Sequence, residues 1–535
     1  MNRPIRKVAI ALGVLFAAIF VNLNLVQIVQ GREYRDHAGN QRVLLNEYAS
    51  PRGQIVVQGT AIATSQKTKD ELKYLRVYPE RKIDSALIYA PVTGYYSFIF
   101  NTSGIEKAED QVLSGTDDRL FGTQLSSILT GRNPSGGSVQ LTLNRAAQEA
   151  GYKAMVGADG KMRRGAVVAL DPTTGAVLAA VSTPSYDPNQ LSSHNSDEIQ
   201  KAWDALNADP SQPLLNRAFE QVYAPGSVFK VVVSAAALTA GVTPDTRIPA
   251  ADGYWPFDAK KTSACPHDPT SSCVQNFDGE TCDNGKTATL AFALAKSCNT
   301  AFAALAVDKL GGQKVADEAK LFGLQDPYTA SPPDLCNPPQ MMIPVPVCGS
   351  SIGSENDLSD RGSLSHTSFG QQDVRITPLQ AAMISAAVAD HGTLMQPYLV
   401  DKELRPNFST LHQTAPTQLN QVIDPGLDTN LQSMMEGVVT SKEGTGGSAA
   451  ITDIPGVVVG GKTGTADTGI YVNGQQTPPH AWFSGFALQN GAPKIAVAVI
   501  IENGGTNGNE TTGGLAAAPV AKAVMEAYLR SGGGS

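Results

Sequence analysis

The sequence predicts an α+β fold carried behind a single N-terminal transmembrane helix. Three patterns predict it. An apolar run over 8–29 follows Arg3, Arg6 and Lys7. Two β-branched runs, 165–171 (GAVVALD) and 176–182 (AVLAAVS), flank a Thr173-Thr174-Gly175 turn, and a third run, 494–501 (KIAVAVII), lies near the end. Between them the chain reads as mostly helical. Strands at both ends of a helical region imply one sheet assembled from distant parts of the sequence.

The run 8–29 spans about 33 Å as a helix, enough to cross a bilayer core. It lacks the short core and small-residue cleavage site of a signal peptide, so it reads as an uncleaved anchor. Positive charge ahead of it keeps residues 1–7 cytoplasmic and sends the rest outside. Asn22, Asn24 and Gln27 lie in its outer half, either beside the headgroups or hydrogen-bonded to another membrane helix.

Residues 30–160 are expected to form an N-terminal non-catalytic domain. In it 54–63 reads as a strand through Ile55, Val57 and Ile62, 106–113 as a short helix, and 134–137 as a turn-rich break. The stretch 140–154 reads as a helix able to link domains. Residues 161–530 form the second domain. There the two runs around Gly175 are a hairpin. The stretch 227–240 is apolar nearly all round, as a buried helix is. A helix is expected over 290–296, strands over 457–460 and 481–487, and a closing helix over 516–529. Loops 256–287 and 332–346 are long enough to suggest function. The tail 531–535 (SGGGS) reads as a linker or tag remnant.

The length, 535 residues, suits two or three domains. Charged residues make up 17%, below the usual value of about 25%. The net charge is -8 and no long basic run occurs, so nucleic-acid binding has no electrostatic footprint. The six cysteines fall between 265 and 348. An even count in an exported region suggests disulfides. Their spacing favours Cys265–Cys273, Cys282–Cys298 and Cys336–Cys348. Zinc is the alternative, but no C-x-x-C pair exists.

Three words carry the chemistry: Ser227-Val228-Phe229-Lys230, Ser297-Cys298-Asn299 and Lys462-Thr463-Gly464-Thr465. Ser227 follows the break at Pro225-Gly226 and opens the apolar helix. Residues three apart share a helix face, so Lys230 can lie beside the Ser227 hydroxyl. Burial lowers a lysine's pKa toward the neutral form that can accept a proton, and a serine becomes nucleophilic when a base takes its proton. Ser297 can relay a proton, and the Asn299 amide can bind a peptide carbonyl. Lys462 with the Thr463 and Thr465 hydroxyls suits a terminal carboxylate. The Thr465 and Ser227 backbone N–H groups can form an oxyanion hole. Glycines 460, 461 and 464 would let a substrate approach the strand closely. No Ser-His-Asp triad and no zinc-hydrolase histidine spacing is present, so neither metal nor cofactor is expected.

In this order the words are the signature of serine β-lactamases and penicillin-binding proteins. The chain resembles a class B penicillin-binding protein, most similar to the actinobacterial PbpA type. The likeness extends to Asn216-Arg217-Ala218, Tyr223-Ala224-Pro225-Gly226, Gly370-Gln371, Thr377-Pro378-Leu379-Gln380 and His480-Ala481-Trp482-Phe483-Ser484-Gly485-Phe486. In the N-terminal part it rests on Arg52-Gly53-Gln54-Ile55 and Ser103-Gly104-Ile105-Glu106. The class often continues the first of these with Asp-Arg-Asn-Gly; here Val56-Val57-Gln58-Gly59 follows.

The resemblance implies an elongated N-terminal pedestal and a transpeptidase domain with an antiparallel sheet between helices. It implies a D,D-transpeptidase cross-linking peptidoglycan stem peptides through Ser227 and acylated there by β-lactams. By the same likeness Lys230 is the base, Ser297 the relay and Asn299 the substrate amide contact. Lys462, Thr463 and Thr465 bind carboxylate, and Gly464 keeps the strand open. Residues 30–160 are too few for a glycosyltransferase domain of about 200 residues. The implied polymerising partner is a SEDS-class glycosyltransferase meeting the anchor and the N-terminal domain. A D,D-carboxypeptidase, or a non-enzymatic β-lactam sensor or scaffold, are the alternatives.

Overall fold

The computed structural model describes residues 3–26, 47–79, 85–122, 124, 129–130, 134–157, 159–258, 261–266, 272–329, 331–472 and 474–532. Expectations for 27–29, for the segment that follows to 46, and for 533–535 lie outside the described residues.

The anchor is a helix over Arg3–Asn24 with a mean hydropathy of 2.0 in its apolar window, and none of its residues is buried. It begins ahead of the apolar run, because Arg6 and Lys7 continue a helix as readily as leucine does. Asn24 Nδ2 donates to the Phe20 carbonyl one turn back, at 2.7 Å. One of its N–H groups is therefore satisfied within its own helix.

The N-terminal sheet has six strands, in the order Thr410–Gln413, Val400–Leu404, Ser138–Leu141, Ile55–Val57, Thr60–Lys67 and Tyr74–Val77. The strand expected over 54–63 is in fact a hairpin. Gln58 and Gly59 both take positive φ, 44° and 72°, the two-residue turn that matches strand twist. The helix expected over 140–154 starts only at Arg145, where Asn144 caps it by accepting from the Ala147 N–H at 3.0 Å. Before it, 138–141 pairs parallel with Ile55–Val57. The short helix expected over 106–113 is two helices, Gly104–Ala108 and Asp110–Ser114, divided at Glu109. Two of the six strands come from beyond residue 399, so the division expected at 160/161 is crossed by this sheet.

Its interior holds an ionic cluster. Fully buried Glu106 accepts from Arg52 Nε at 2.7 Å, Arg76 Nε at 2.6 Å and the Tyr78 hydroxyl at 3.1 Å. A carboxylate taken out of water needs such complete pairing. The Arg52-Gly53 and Ile105-Glu106 words are thus two halves of one contact.

The second sheet runs Val457–Ala466, His480–Gln489, Ala492–Ile501, Gly165–Leu170, Val177–Thr183, antiparallel throughout. Alternate residues serve different cores. Val168, Leu170, Ala496 and Ala498 join the core with helix Pro378–Ala389, buried at every position. Val167, Ala169, Val497 and Val499 join the core with helix Ala518–Arg530. Burial on both faces explains why these strands read as continuous apolar runs. The six cysteines form Cys265–Cys273, Cys282–Cys298 and Cys336–Cys348.

Candidate active site

The Ser227 segment is held against the edge strand by glycines. Residues Gly226–Phe229 form a single 3-10 turn that leads into helix Lys230–Thr239. Gly226 has φ 54°, and a Cβ on it would meet the Thr465 carbonyl oxygen at 2.7 Å. Its N–H donates to the Gly370 carbonyl at 3.0 Å. The Trp482 indole donates to the Ala224 carbonyl at 3.0 Å. Val228 and Phe229 are buried beneath, which leaves Ser227 lining a cleft of about 1520 Å³.

Ser297 ends helix Leu290–Lys296 in a left-handed conformation, φ 67° and ψ 41°. A non-glycine residue there is strained by about 1 kcal/mol. The reversal lets helix Asn299–Ala304 begin at once, so that Ser297 and Asn299 face the same amine. Cys298 between them is bonded to Cys282 of the 256–287 loop.

Lys230 is wholly buried. Its Nζ donates to Ser297 O at 2.7 Å, Asn299 Oδ1 at 2.8 Å and Ser297 Oγ at 3.2 Å. Lys462, equally buried, donates to the same Ser297 Oγ at 2.8 Å and to the Thr463 carbonyl at 3.0 Å. No carboxylate pairs with either amine among the described residues. Burial lowers the Lys462 pKa to about 7. Burial first, then the Lys462 charge, push Lys230 well below the ordinary lysine value. Burial favours the neutral form of both amines, and the Lys462 charge adds to it at Lys230.

Strand Val457–Ala466 carries the third word. Thr463 Oγ1 lies 2.5 Å from Thr445 Oγ1, and Thr463 and Thr465 both line the cleft. The glycines do less for substrate access than the sequence suggests. Gly460 and Gly461 seat the rings of Phe486 and Phe483, where a Cβ would lie 2.4 and 2.5 Å away. Gly464 lies against the Pro225 carbonyl, 2.7 Å from a built Cβ, so it admits the Ser227 turn to the strand.

All eight residues of the three words outside the apolar and cysteine positions converge on this cleft or its floor. Two contributors escaped the sequence. Thr445 belongs to no motif, and only the fold brings it to Thr463. Glu502 accepts from Arg217 Nε and from the Tyr223 hydroxyl, both at 2.8 Å. That contact gives both residues of the run before Ser227 a structural partner. Among the described residues no group of acidic, histidine or cysteine side chains is arranged to hold a metal.

The comparisons with known proteins agree with this geometry. Residues 165–526 match the penicillin binding protein transpeptidase domain, and 52–139 match the penicillin binding protein A dimerisation domain. The chain is 41% identical to the peptidoglycan D,D-transpeptidase PbpA of Mycolicibacterium smegmatis, over 99% of this chain and 100% of that protein. It is 38% identical to the Mycobacterium tuberculosis protein of the same name, over 99% of each. The ceftriaxone acyl-enzyme complex of M. tuberculosis penicillin-binding protein A is similar, with a TM-score of 0.79 and 39% identity over 91% of this chain and 100% of that one. With its transpeptidase domain matched from strand 165 to the closing helix and its three words gathered around one buried lysine pair, the chain belongs to the penicillin-binding protein transpeptidase family.

Proposed function

We propose that this chain is a peptidoglycan D,D-transpeptidase, acylated at Ser227 by the D-Ala–D-Ala end of a stem peptide and inhibited there by β-lactams. The observation that carries the reading is Lys230, an amine buried without a carboxylate beside the Ser297 and Asn299 side chains. A protonated Lys230 would fill all three of its N–H bonds with the two Ser297 oxygens and Asn299 Oδ1. Neutral, it has two hydrogens and a lone pair, which is what a base needs.

The Ser227 hydroxyl attacks the penultimate D-Ala carbonyl and its proton passes to Lys230. The oxyanion is held by the Ser227 and Thr465 backbone N–H groups. Collapse breaks the peptide bond, and the departing D-Ala amine takes a proton through Ser297. The amine of a second strand then attacks the Ser227 ester, forms the cross-link and frees the serine. Lys462, Thr463 and Thr465 bind the terminal carboxylate. Asn299 Nδ2 donates one hydrogen to the Gln275 carbonyl at 3.1 Å and keeps the other for a substrate carbonyl.

The helix over Arg3–Asn24 suits a single-pass anchor, with residues 1–7 cytoplasmic and the catalytic domain outside. Residues 30–160, whose sheet is completed by Val400–Leu404 and Thr410–Gln413, serve as pedestal, and the rest of 161–530 as catalytic unit. The sugar polymer comes from a separate glycosyltransferase of the SEDS class, which meets the anchor and the pedestal. Incubation of the detergent-solubilised protein with donor and acceptor stem peptides tests the reaction. Cross-linked dimer that disappears in Ser227→Ala supports it; hydrolysed donor alone would favour a carboxypeptidase, and no turnover a sensor.

A further inference from the structure

We propose that Lys296, Glu280 and Glu443 form a subsite for a stem-peptide side chain that ends in both an ammonium and a carboxylate. The proposal rests on the transpeptidase reading above and names what that cleft selects. All three residues line the same cleft as Ser227 and Ser297. Lys296 Nζ lies 2.9 Å from Glu280 Oε2 and 3.9 Å from Glu443 Oε2.

Each charge is fixed to a segment that also carries part of the reacting centre. Lys296 is the last helical residue before Ser297. Glu280 sits two residues from Cys282, which is bonded to Cys298, and its carbonyl accepts from Asn276 Nδ2 at 2.9 Å. Glu443 sits two residues from Thr445, whose N–H donates to the Ala295 carbonyl at 3.3 Å and whose hydroxyl meets Thr463. As a stabilising device the group is weak, because half-exposed ion pairs contribute about 0–1 kcal/mol. As a binding surface it is specific. One cation flanked by two carboxylates offers a donor to an incoming carboxylate and acceptors to an incoming ammonium. The terminal carboxylate of the stem is already assigned to Lys462 and its threonines, so this trio is left for the third residue's side chain. Diaminopimelate carries both charges on its distal carbon; lysine carries only the ammonium.

The test uses the full chain in detergent and three pentapeptides, L-Ala-γ-D-Glu-X-D-Ala-D-Ala, with X as meso-diaminopimelate, its side-chain carboxamide, or L-lysine. Release of D-Ala gives kcat and KM for each. The wild type should prefer the diaminopimelate peptide by about tenfold over the other two, mostly through KM. Lys296→Met should bring the three within about twofold by weakening the first alone. Glu443→Gln should weaken all three peptides together, since each keeps the side-chain ammonium. Penicillin G acylation, as the check on an intact site, should change by less than about threefold in both variants. No preference in the wild type, or an equal loss for all three peptides in Lys296→Met, would overturn the subsite. Penicillin acylation falling in parallel would do the same. Penicillin uptake without D-Ala release from any peptide would overturn the transpeptidase reading itself, and the subsite with it.

Discussion

Lys230 and Lys462 donate to one oxygen, the Ser297 hydroxyl, at 3.2 and 2.8 Å. Two ammonium groups on one acceptor repel, and among the described residues no carboxylate pairs with either amine. A protonated Lys462 donating to Ser297 Oγ beside a neutral Lys230 avoids that conflict. Ser297 Oγ thus bridges the two amines.

The first prediction concerns pH. Lys230 acts when neutral, so penicillin acylation rises as pH increases through its folded pKa. That pKa is lowered by burial and then by Lys462. Lys462→Met removes the second cause, and the rising limb should move to higher pH. Lys462, at about 7 when folded, must keep its proton to hold a carboxylate, so kcat/KM should fall above neutrality. Stability has a definite sign too. Between about 7 and the unfolded lysine value of ~10.4 the unfolded chain binds more protons than the folded one, so wild-type stability gains on Lys462→Met as pH rises through that window. Rates and denaturant unfolding across pH check both; a limb that stays fixed contradicts the coupling.

Gly464→Ala should cost far more activity than stability. The new Cβ meets a backbone oxygen, Pro225 O, at 2.7 Å, so the strand must leave the nucleophile turn. Overpacking of this kind costs about 1–3 kcal/mol of stability. A displacement of about 1 Å at a reacting centre lowers the rate about 100-fold. Thermal unfolding and the acylation rate, measured side by side, separate the two.

The Cys282–Cys298 bridge closes a loop across 16 positions. The pair of substitutions Cys282→Ser and Cys298→Ser should lower stability by about 3 kcal/mol. Cys298 stands between Ser297 and Asn299, so acylation should slow as well. Non-reducing denaturant titration with a parallel acylation assay checks this. An unchanged rate would show that the second word holds its shape without the bridge.

Glu106→Gln leaves Arg52 and Arg76 facing a neutral group inside the N-terminal sheet. Breaking a buried pair of this kind destabilises by about 3–5 kcal/mol. Penicillin acylation per folded molecule should be unchanged, since Glu106 touches no residue of the cleft. Calorimetry with active-site titration would show it.

The catalytic words were legible because their chemistry needs fixed spacing within a few residues. The second sheet was legible because strands buried on both faces become unbroken β-branched runs. Elsewhere local pattern was a poor guide. The turn at Gln58-Gly59 is hidden inside an apolar stretch, and residues 140–141 look helical beside Arg145–Ala154 although they pair with Ile55–Val57. Strands Val400–Leu404 and Thr410–Gln413 lie far along the chain from the sheet they complete. Thr445, Glu280 and Glu443 carry no motif, and only tertiary contact puts them beside the second and third words. Glycines 460 and 461 have the right residue type for substrate access, yet Phe486 and Phe483 occupy their space.

The measurement that bears most directly on the central claim is intact-mass analysis of the full chain after penicillin G, followed by peptide mapping. One penicilloyl group per chain, located on Ser227 and absent from Ser227→Ala, is the expected result. An adduct on another residue, or one that persists in Ser227→Ala, would contradict the assignment of Ser227 as the nucleophile served by Lys230.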